Sequence, residues 1–411
     1  MKFRRILDSL LSDIFPAYGQ NRSHKLAMAG RVLTIDQITK LEASLAKNPR
    51  QIESRILLLG KYCSEQYANE EFARRRVQHI RWIVEHKPEH PVTGEPYCLI
   101  VSNPNSPEYE EIRKLWLKQI EKYKNKTAVL SNAARYFSHY DKELAEQCFL
   151  KALQITPRSS GLRSELALLY SLWDGHEQQA FEQQKAFCEQ AGGDDFYEMT
   201  DLPARALDAG KIDAAREAAD RLLVLADQNK TNWNYGNAIN QAHTVLGQIA
   251  LRNNDSEKAC DHLRQSIINI ATPQTTSFGP TLDLAKELLA AGQNDSVLAY
   301  LDEMELLCGP CNQWAFELRY EAEHGQSRRD ANRDEYDSAF LDRQFKVLSS
   351  NEAIRRKHLL RAIDDTKSGI AIGTKFMNSA EEASKEEMGR RMKRLEGHLS
   401  RLEQLSDAKP N

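Results

Sequence analysis

One spacing recurs along this chain and limits its possible folds more than any other feature. From Ala133, small or apolar residues follow at offsets of three, twelve, sixteen and nineteen: Tyr136, Ala145, Phe149 and Ala152, with Pro157 closing the set. The same offsets lead from Gly247 to Ala250, Ala259, Leu263 and Ser266, and from Ala285 to Leu288, Val297, Leu301 and Met304. From Pro203 they give Ala206, Ala215, Ala219 and Leu222. Two copies are looser. Gly60 leads to Cys63 and then, with one extra residue in the turn, to Ala73, Val77 and Ile80. Ala167 leads to Tyr170, but Gln179 and Gln183 stand where apolar residues are expected. Offsets of three and four keep side chains on one helical face. Each copy therefore reads as two helices, with the small residues where helices must approach closely. Turn-forming residues fall between them, at Asp141, Gly210, Asn253 to Asp255 and Gly292 to Asp295.

The Ala133 copy, with its tyrosine, alanine, phenylalanine, alanine and terminal proline, closely resembles the tetratricopeptide consensus, and repetition at such a period marks stacked-repeat architecture. The resemblance covers about residues 36–322. It implies an all-α fold, a right-handed α-solenoid of roughly five to six helix pairs with N- and C-terminal helical extensions. The expected boundaries are a helical cap over 1–48, a solenoid over 49–322 interrupted by an insertion at 88–125, and a helical, short coiled-coil appendage over 323–411. Within the insertion, His90 to Pro107 is a Pro- and Gly-marked loop with a short extended piece over Tyr97 to Val101, and Ser106-Pro107-Glu108 opens a helix. The segments N-W-N-Y-G-N-A-I at 232–239, S-F-G-P at 277–280, I-R-W-I-V-E-H-K-P-E at 80–89 and L-W-L-K-Q-I at 115–120 resemble an uncharacterised family of bacterial tetratricopeptide-like proteins. That likeness implies a bacterial origin and supplies no catalytic residue. It ends near residue 323.

Beyond that point, 323–337 is polar and reads as a linker or exposed turn, and Gly369 and Gly373 mark a hinged section. Met388, Met392, Leu395, Leu399 and Leu402 then alternate spacings of four and three, a coiled-coil seam over 385–405 that can self-associate, pair with the helix before it or dock on the solenoid.

The formal charge is −3 over 411 residues, so the chain as a whole has no electrostatic pull towards nucleic acid or an acidic membrane. No apolar run approaches membrane-spanning length. The N-terminus reads as an amphipathic helix, with Ile6, Leu7, Leu10, Leu11 and Ile14 on one side, because Asp8 and Asp13 break any signal-peptide pattern. Seven cysteines at irregular spacing point to reduced thiols and a cytoplasmic address.

Cys308-Gly309-Pro310-Cys311 has the form of a thiol-redox motif. A reactive first thiolate needs a helix N-terminus, whereas the helix-period run at 298–307 puts Cys308 at a C-terminus. A redox function using this pair is therefore the alternative. No nucleotide, hydrolase or metalloprotease motif is present, and no histidines sit at ligand spacing, so no enzyme activity, cofactor or metal is expected. Arg74, Arg75, Arg76 and Arg81, and Arg355, Arg356, Lys357, His358 and Arg361, form two basic clusters diluted by neighbouring acids. Nucleic-acid binding through them is a further, less favoured alternative. The expected function is a scaffold or adaptor binding a protein or peptide partner, with Trp233, Asn234, Tyr235, Asn237, His243 and Phe278 as the binding residues. The competing explanation is that these aromatics plug gaps between repeats while the asparagines satisfy turn carbonyls.

Overall fold

The computed structural model describes residues 22–100, 103–190, 196–268, 270–272, 275, 279–309, 313–377 and 382–407. The amphipathic stretch expected over Ile6 to Ile14 lies outside them. The described residues are helical apart from turns and connections, and contain no strand. The chain divides into two compact units, residues 1–198 and 199–411.

In the first unit, α1 (Arg22–Gly30) and α2 (Ile35–Lys47) lead into the hairpin α3 (Ile52–Glu65) and α4 (Glu70–His86). After α5 (Pro107–Lys122) come the hairpins α6 (Thr127–Phe137) with α7 (Lys142–Ile155) and α8 (Ser160–Ser171) with α9 (Glu177–Gln190). In the second unit, α10 (Leu202–Asp208) pairs with α11 (Ile212–Gln228), α12 (Tyr235–Arg252) with α13 (Ser256–Gln265), and α14 (Asp283–Ala290) with α15 (Asn294–Cys308). Next come α16 (Gln313–His324), α17 (Arg333–Ser350), α18 (Glu352–Met377) and α19 (Glu382–Asp407). The fold is all-α and of tetratricopeptide type, each repeat copy being one hairpin. Side-chain caps start many of these helices: Thr34 with Gln37 closes a capping box, and Asn69, Ser106, Asp141, Ser159, Asp255 and Asn332 each accept first-turn amides.

The small residues sit where backbones touch. A Cβ added to Gly30 would lie 1.9 Å from the Leu57 carbonyl oxygen, and one on Gly60 would lie 1.8 Å from that of Ala27. Hence α1 and α3 cross backbone against backbone. Ala133, Ala145 and Ala152, with Tyr136 and Phe149, are all buried in the first unit's main core around Trp116. The Ala167 copy differs from its expected register. The turn before α9 holds one extra residue, with Gly175 at φ +81°. Ala180, Gln184 and Phe187 therefore face inward, while Gln179 is exposed. This is the same one-residue extension that the Gly60 copy carries.

The insertion is a correction of another kind. Pro91–Gly94 and Pro96–Cys98 are 3-10 turns, so of the piece expected to be extended over Tyr97 to Val101 the first two residues belong to a turn, Leu99 is extended and Val101 lies outside the described residues. Val92, Thr93, Glu95, Cys98 and Leu99 are buried. Irregular backbone can be buried only if its carbonyls find donors, and two side chains supply them. Asn132 donates to the carbonyls of Pro88 and His90 at 2.9 and 3.1 Å and to the Thr93 hydroxyl at 2.8 Å. Arg76, from one of the expected basic clusters, is buried and donates to the carbonyls of Tyr97 at 3.1 Å, of Pro96 and of Leu99. Its neighbours are also engaged: Arg74 and Arg75 pair with Glu71, and Arg81 with Glu111.

In the second unit, the stretch 323–337 contains the expected exposed turn, over 325–332, between the end of α16 and the start of α17. It contributes Tyr336 to an aromatic cluster with Phe316 and Tyr320. Arg343 of α17 pairs with Glu305 of α15 at 2.6 Å and with Asp302 at 2.8 Å, while the buried Arg319 of α16 reaches Asp302 at 2.7 Å. This network joins α15, α16 and α17. The expected hinge in α18 is a continuous helix through both glycines. A Cβ on Gly373 would lie 2.2 Å from the Met392 sulfur, so the glycine lets α19 approach. The seam on α19 packs in part on the preceding helices: Met392 is buried against Gly373 of α18 and Leu402 in a cluster with residues of α17 and α18, while Met388, Leu395 and Leu399 are half-buried.

Two outcomes follow from this packing. Gly60→Ala must separate α1 from α3 and should lower stability by about 2–3 kcal/mol. Gly389→Ala, with nothing within 4 Å of the added carbon, should raise it by about 0.5–1 kcal/mol; urea unfolding of both variants measures the contrast. Burial raises the Glu95 carboxyl from 4.5 to about 7, against the opposing charge of Arg135. The folded state then holds the extra proton, so stability falls as pH rises from the ordinary carboxyl range to about 7, then levels. Glu95→Gln should match the parent near the lower end of that window and exceed it by about 2–3 kcal/mol at pH 8. Denaturation midpoints across that range report the difference.

Candidate partner-binding site

Helix α12 is the longest first helix of any hairpin in the second unit, and most of it is buried. Its exceptions are ordered. At 100° per residue, Asn237, Gln241, Thr244, Gln248 and Arg252 fall within a sector of about 80°. Thr244 is buried, Asn237, Gln241 and Gln248 are half-buried and Arg252 is exposed. The stripe lies between the first helices of the adjoining hairpins. Gln248 donates to Glu287 of α14 at 2.6 Å, and Arg252 donates to the Leu207 carbonyl of α10 at 3.4 Å. Gln241 makes no hydrogen bond among the described residues. Helix α12 thus presents, between α10 and α14, a polar strip on which the Gln241 carboxamide is unspent among the described residues.

Six residues were expected to form the site, and they occupy different places. Trp233, just ahead of α12, is 49% exposed. Asn237 lies on the polar stripe and donates to the Asn234 side-chain oxygen at 3.3 Å. Asn234 itself is buried and donates to the Thr200 hydroxyl at 2.8 Å. Tyr235 is half-buried at the helix start, off the stripe. His243 is turned away from it, towards α13, with its Nδ1 3.1 Å from Nδ1 of His262. Burial, then the neighbouring His262, pushes His243 down to about 4. Phe278 lies outside the described residues, as does Cys311. Cys308 ends α15, at the end of the helix where the dipole disfavours a thiolate.

Sequence reasoning passed over Gln241, Gln248 and Arg252. A signal for them existed: polar residues recurring at three, four and seven on a helix whose other positions are apolar or small.

The long connection from α13 to α14 is fixed from beneath by α12. Asn240, buried, donates to the Ser266 carbonyl at 3.2 Å and accepts from the Thr281 amide at 3.0 Å. One side chain therefore holds both ends of the connection. Thr275 bonds the Ile270 carbonyl, and Tyr300 donates to the Thr281 carbonyl at 3.0 Å. Gly236 permits the closest approach, since a Cβ there would lie 2.2 Å from the Ile270 oxygen.

No family model and no curated protein matches the chain. Among solved structures, similarity is found to the APC/C hetero-tetramer Cut9-Hcn1, at 17% identity over 78% of this chain and 59% of that chain, with a TM-score of 0.35. The chain thus spans well under two thirds of that protein's length. It is similar to yeast Tom70 at 11% identity over 98% of this chain and 96% of that one, TM-score 0.36. It is also similar to the human IFIT1 dimer with PPP-AAAA at 14% identity over 94% and 100%, TM-score 0.27. The likeness to an uncharacterised bacterial family rests on the sequence segments alone.

Asn240→Ala should unfasten the connection at both ends. The expected cost is about 2–3 kcal/mol for two lost bonds, which leave the Ser266 carbonyl and the Thr281 amide without their partner. Hydrogen exchange should show the Thr281 amide losing its protection while α6 and α7 keep theirs.

Proposed function

We propose that the chain is a protein-interaction scaffold that holds a peptide or helical segment of its partner along the polar strip of α12, with Trp233 at one end. The observation that carries this is the strip itself. A helix buried on its other sides keeps carboxamides half-open between α10 and α14, and Gln241 is left with its hydrogen-bonding groups available to a ligand. Carboxamides match the alternating donors and acceptors of a peptide, and an exposed indole supplies apolar area at low entropic cost. The two basic clusters favour a nucleic-acid partner less, because Arg76 is buried and Arg74, Arg75, Arg81, Arg356 and Arg361 all have acidic neighbours within salt-bridge range. A cytoplasmic address fits Cys63, Cys98, Cys148 and Cys260, none of which forms a disulfide.

A partner captured from the host with the full chain provides the test. Gln241→Ala with Gln248→Ala should weaken its binding about tenfold or more, and Trp233→Ala should do the same, with helicity and unfolding midpoint unchanged. Binding by calorimetry that is indifferent to all three changes would remove α12 from the interface.

A further inference from the structure

We propose that His243 and His262 together chelate a divalent transition-metal ion, making the α12–α13 hairpin a two-imidazole metal site. The two side chains come from the two antiparallel helices of one hairpin and meet Nδ1 to Nδ1 at 3.1 Å, ring centroids 5.3 Å apart. Two nitrogens bound at 2.0–2.1 Å to one tetrahedral zinc lie about 3.3–3.4 Å apart. The pair is therefore within a few tenths of an ångström of chelating spacing before any metal arrives. Gly247 shapes the same place: a Cβ there would lie 3.2 Å from the His262 Cβ and 2.3 Å from a Leu284 methyl. The absence of a side chain at position 247 leaves His262 room against α12.

The surroundings decide which ion suits. Four charged groups bear on His262: Lys258 and Asp261 on its own helix, and Asp220 and Arg216 on α11. Two are acidic and two basic, so the field neither repels nor strongly attracts a cation. Both imidazoles are held neutral by burial, and a neutral ring is the ligating form. In the resting hairpin one ring donates its Nδ1–H to the other. On binding, that proton leaves Nδ1 and the ring takes one up at Nε2, so the net protonation of the pair is unchanged and both Nδ1 lone pairs face the ion. Among the described residues no three His, Cys, Asp or Glu side chains converge on one point. Water therefore completes the coordination. Imidazole donors with open positions suit Zn2+, Ni2+ and Cu2+ rather than Mg2+ or Ca2+. The inference does not depend on what the α12 strip binds, since His243 faces the other way.

The experiment is calorimetric titration of the full chain with Zn2+ at pH 7.5, in a buffer that does not bind metal, against His243→Ala and His262→Ala. Chelation predicts one site in the parent, weakened at least tenfold by either substitution, and no comparable site for Mg2+. Independent imidazoles would instead leave each single variant with unchanged affinity and fewer equivalents, which would overturn the proposal. Should either variant fail to fold, the parent decides by imidazole 15N spectra. Zn2+ must move the Nδ1 resonances of His243 and His262 together, and Nδ1 shifts confined to others of the eleven histidines sink it.

Discussion

Helices can be held against each other at backbone distance only where a side chain has been reduced to a hydrogen or a methyl. At Gly60 and Gly30 the partner atoms are main-chain atoms of Ala27 and Leu57, so no rotamer change relieves an added carbon. That contact fixes the crossing of α1 on α3. The crossing in turn brings Ala27, Ile56 and Leu59 into the first unit's core. Gly247 and Gly373 do the same work in the second unit, but against side chains, Leu284 and Met392. Those contacts have some give, because a leucine or a methionine can turn aside. The backbone contacts cannot.

Close crossings alone would leave the polar parts of the chain stranded, and the molecule meets this with a few deeply placed polar side chains. Around α2, α3 and α4, Glu42 accepts from Tyr62 at 2.5 Å and lies 3.1 Å from His79, which lies 3.0 Å from Arg55. Burial works to raise the Glu42 carboxyl, but the bonds from His79 and Tyr62 and the charge of Arg75 bring it down to about 2. Arg76 and Asn132 serve carbonyls of the insertion in the same manner. Each is a buried group whose removal leaves a neighbour unsatisfied, which costs more than the bond itself contributes.

The hairpins were written plainly in the sequence because small and apolar spacing is a local property. Ala133, Ala145, Phe149 and Ala152 need only a helical wheel to be seen. The Ala167 copy was written there too, with Ala180, Gln184 and Phe187 one residue later than sought, since the Gly60 copy already carried that extension. What the sequence hid depends on contacts between distant segments. Nothing local distinguishes Arg76 from Arg74 and Arg75, yet one is buried on carbonyls of residues 96–99 and the others lie on an exposed helix face. Gly369 and Gly373 looked like weak points because the helix that packs across Gly373 begins only at Glu382. His243 looked like a surface ligand for the same reason: its neighbour, His262, is supplied by the returning helix.

These cases separate two kinds of polar residue on α12. Asn240 is buried, and both sides of its amide are spent on Ser266 and Thr281. Its chemistry is accounted for by the fold. Gln241, one position on, is half-buried and spends nothing within the described chain. Stability gives no reason to keep a carboxamide there: an alanine would raise helix propensity and lose less side-chain entropy on ordering. Residues that the fold uses and residues that it merely tolerates therefore stand side by side on one helix. Only the second kind has hydrogen-bonding capacity left for another molecule, and for that reason the interface we propose lies on Gln241 and its stripe rather than on the buried Asn234 and Asn240.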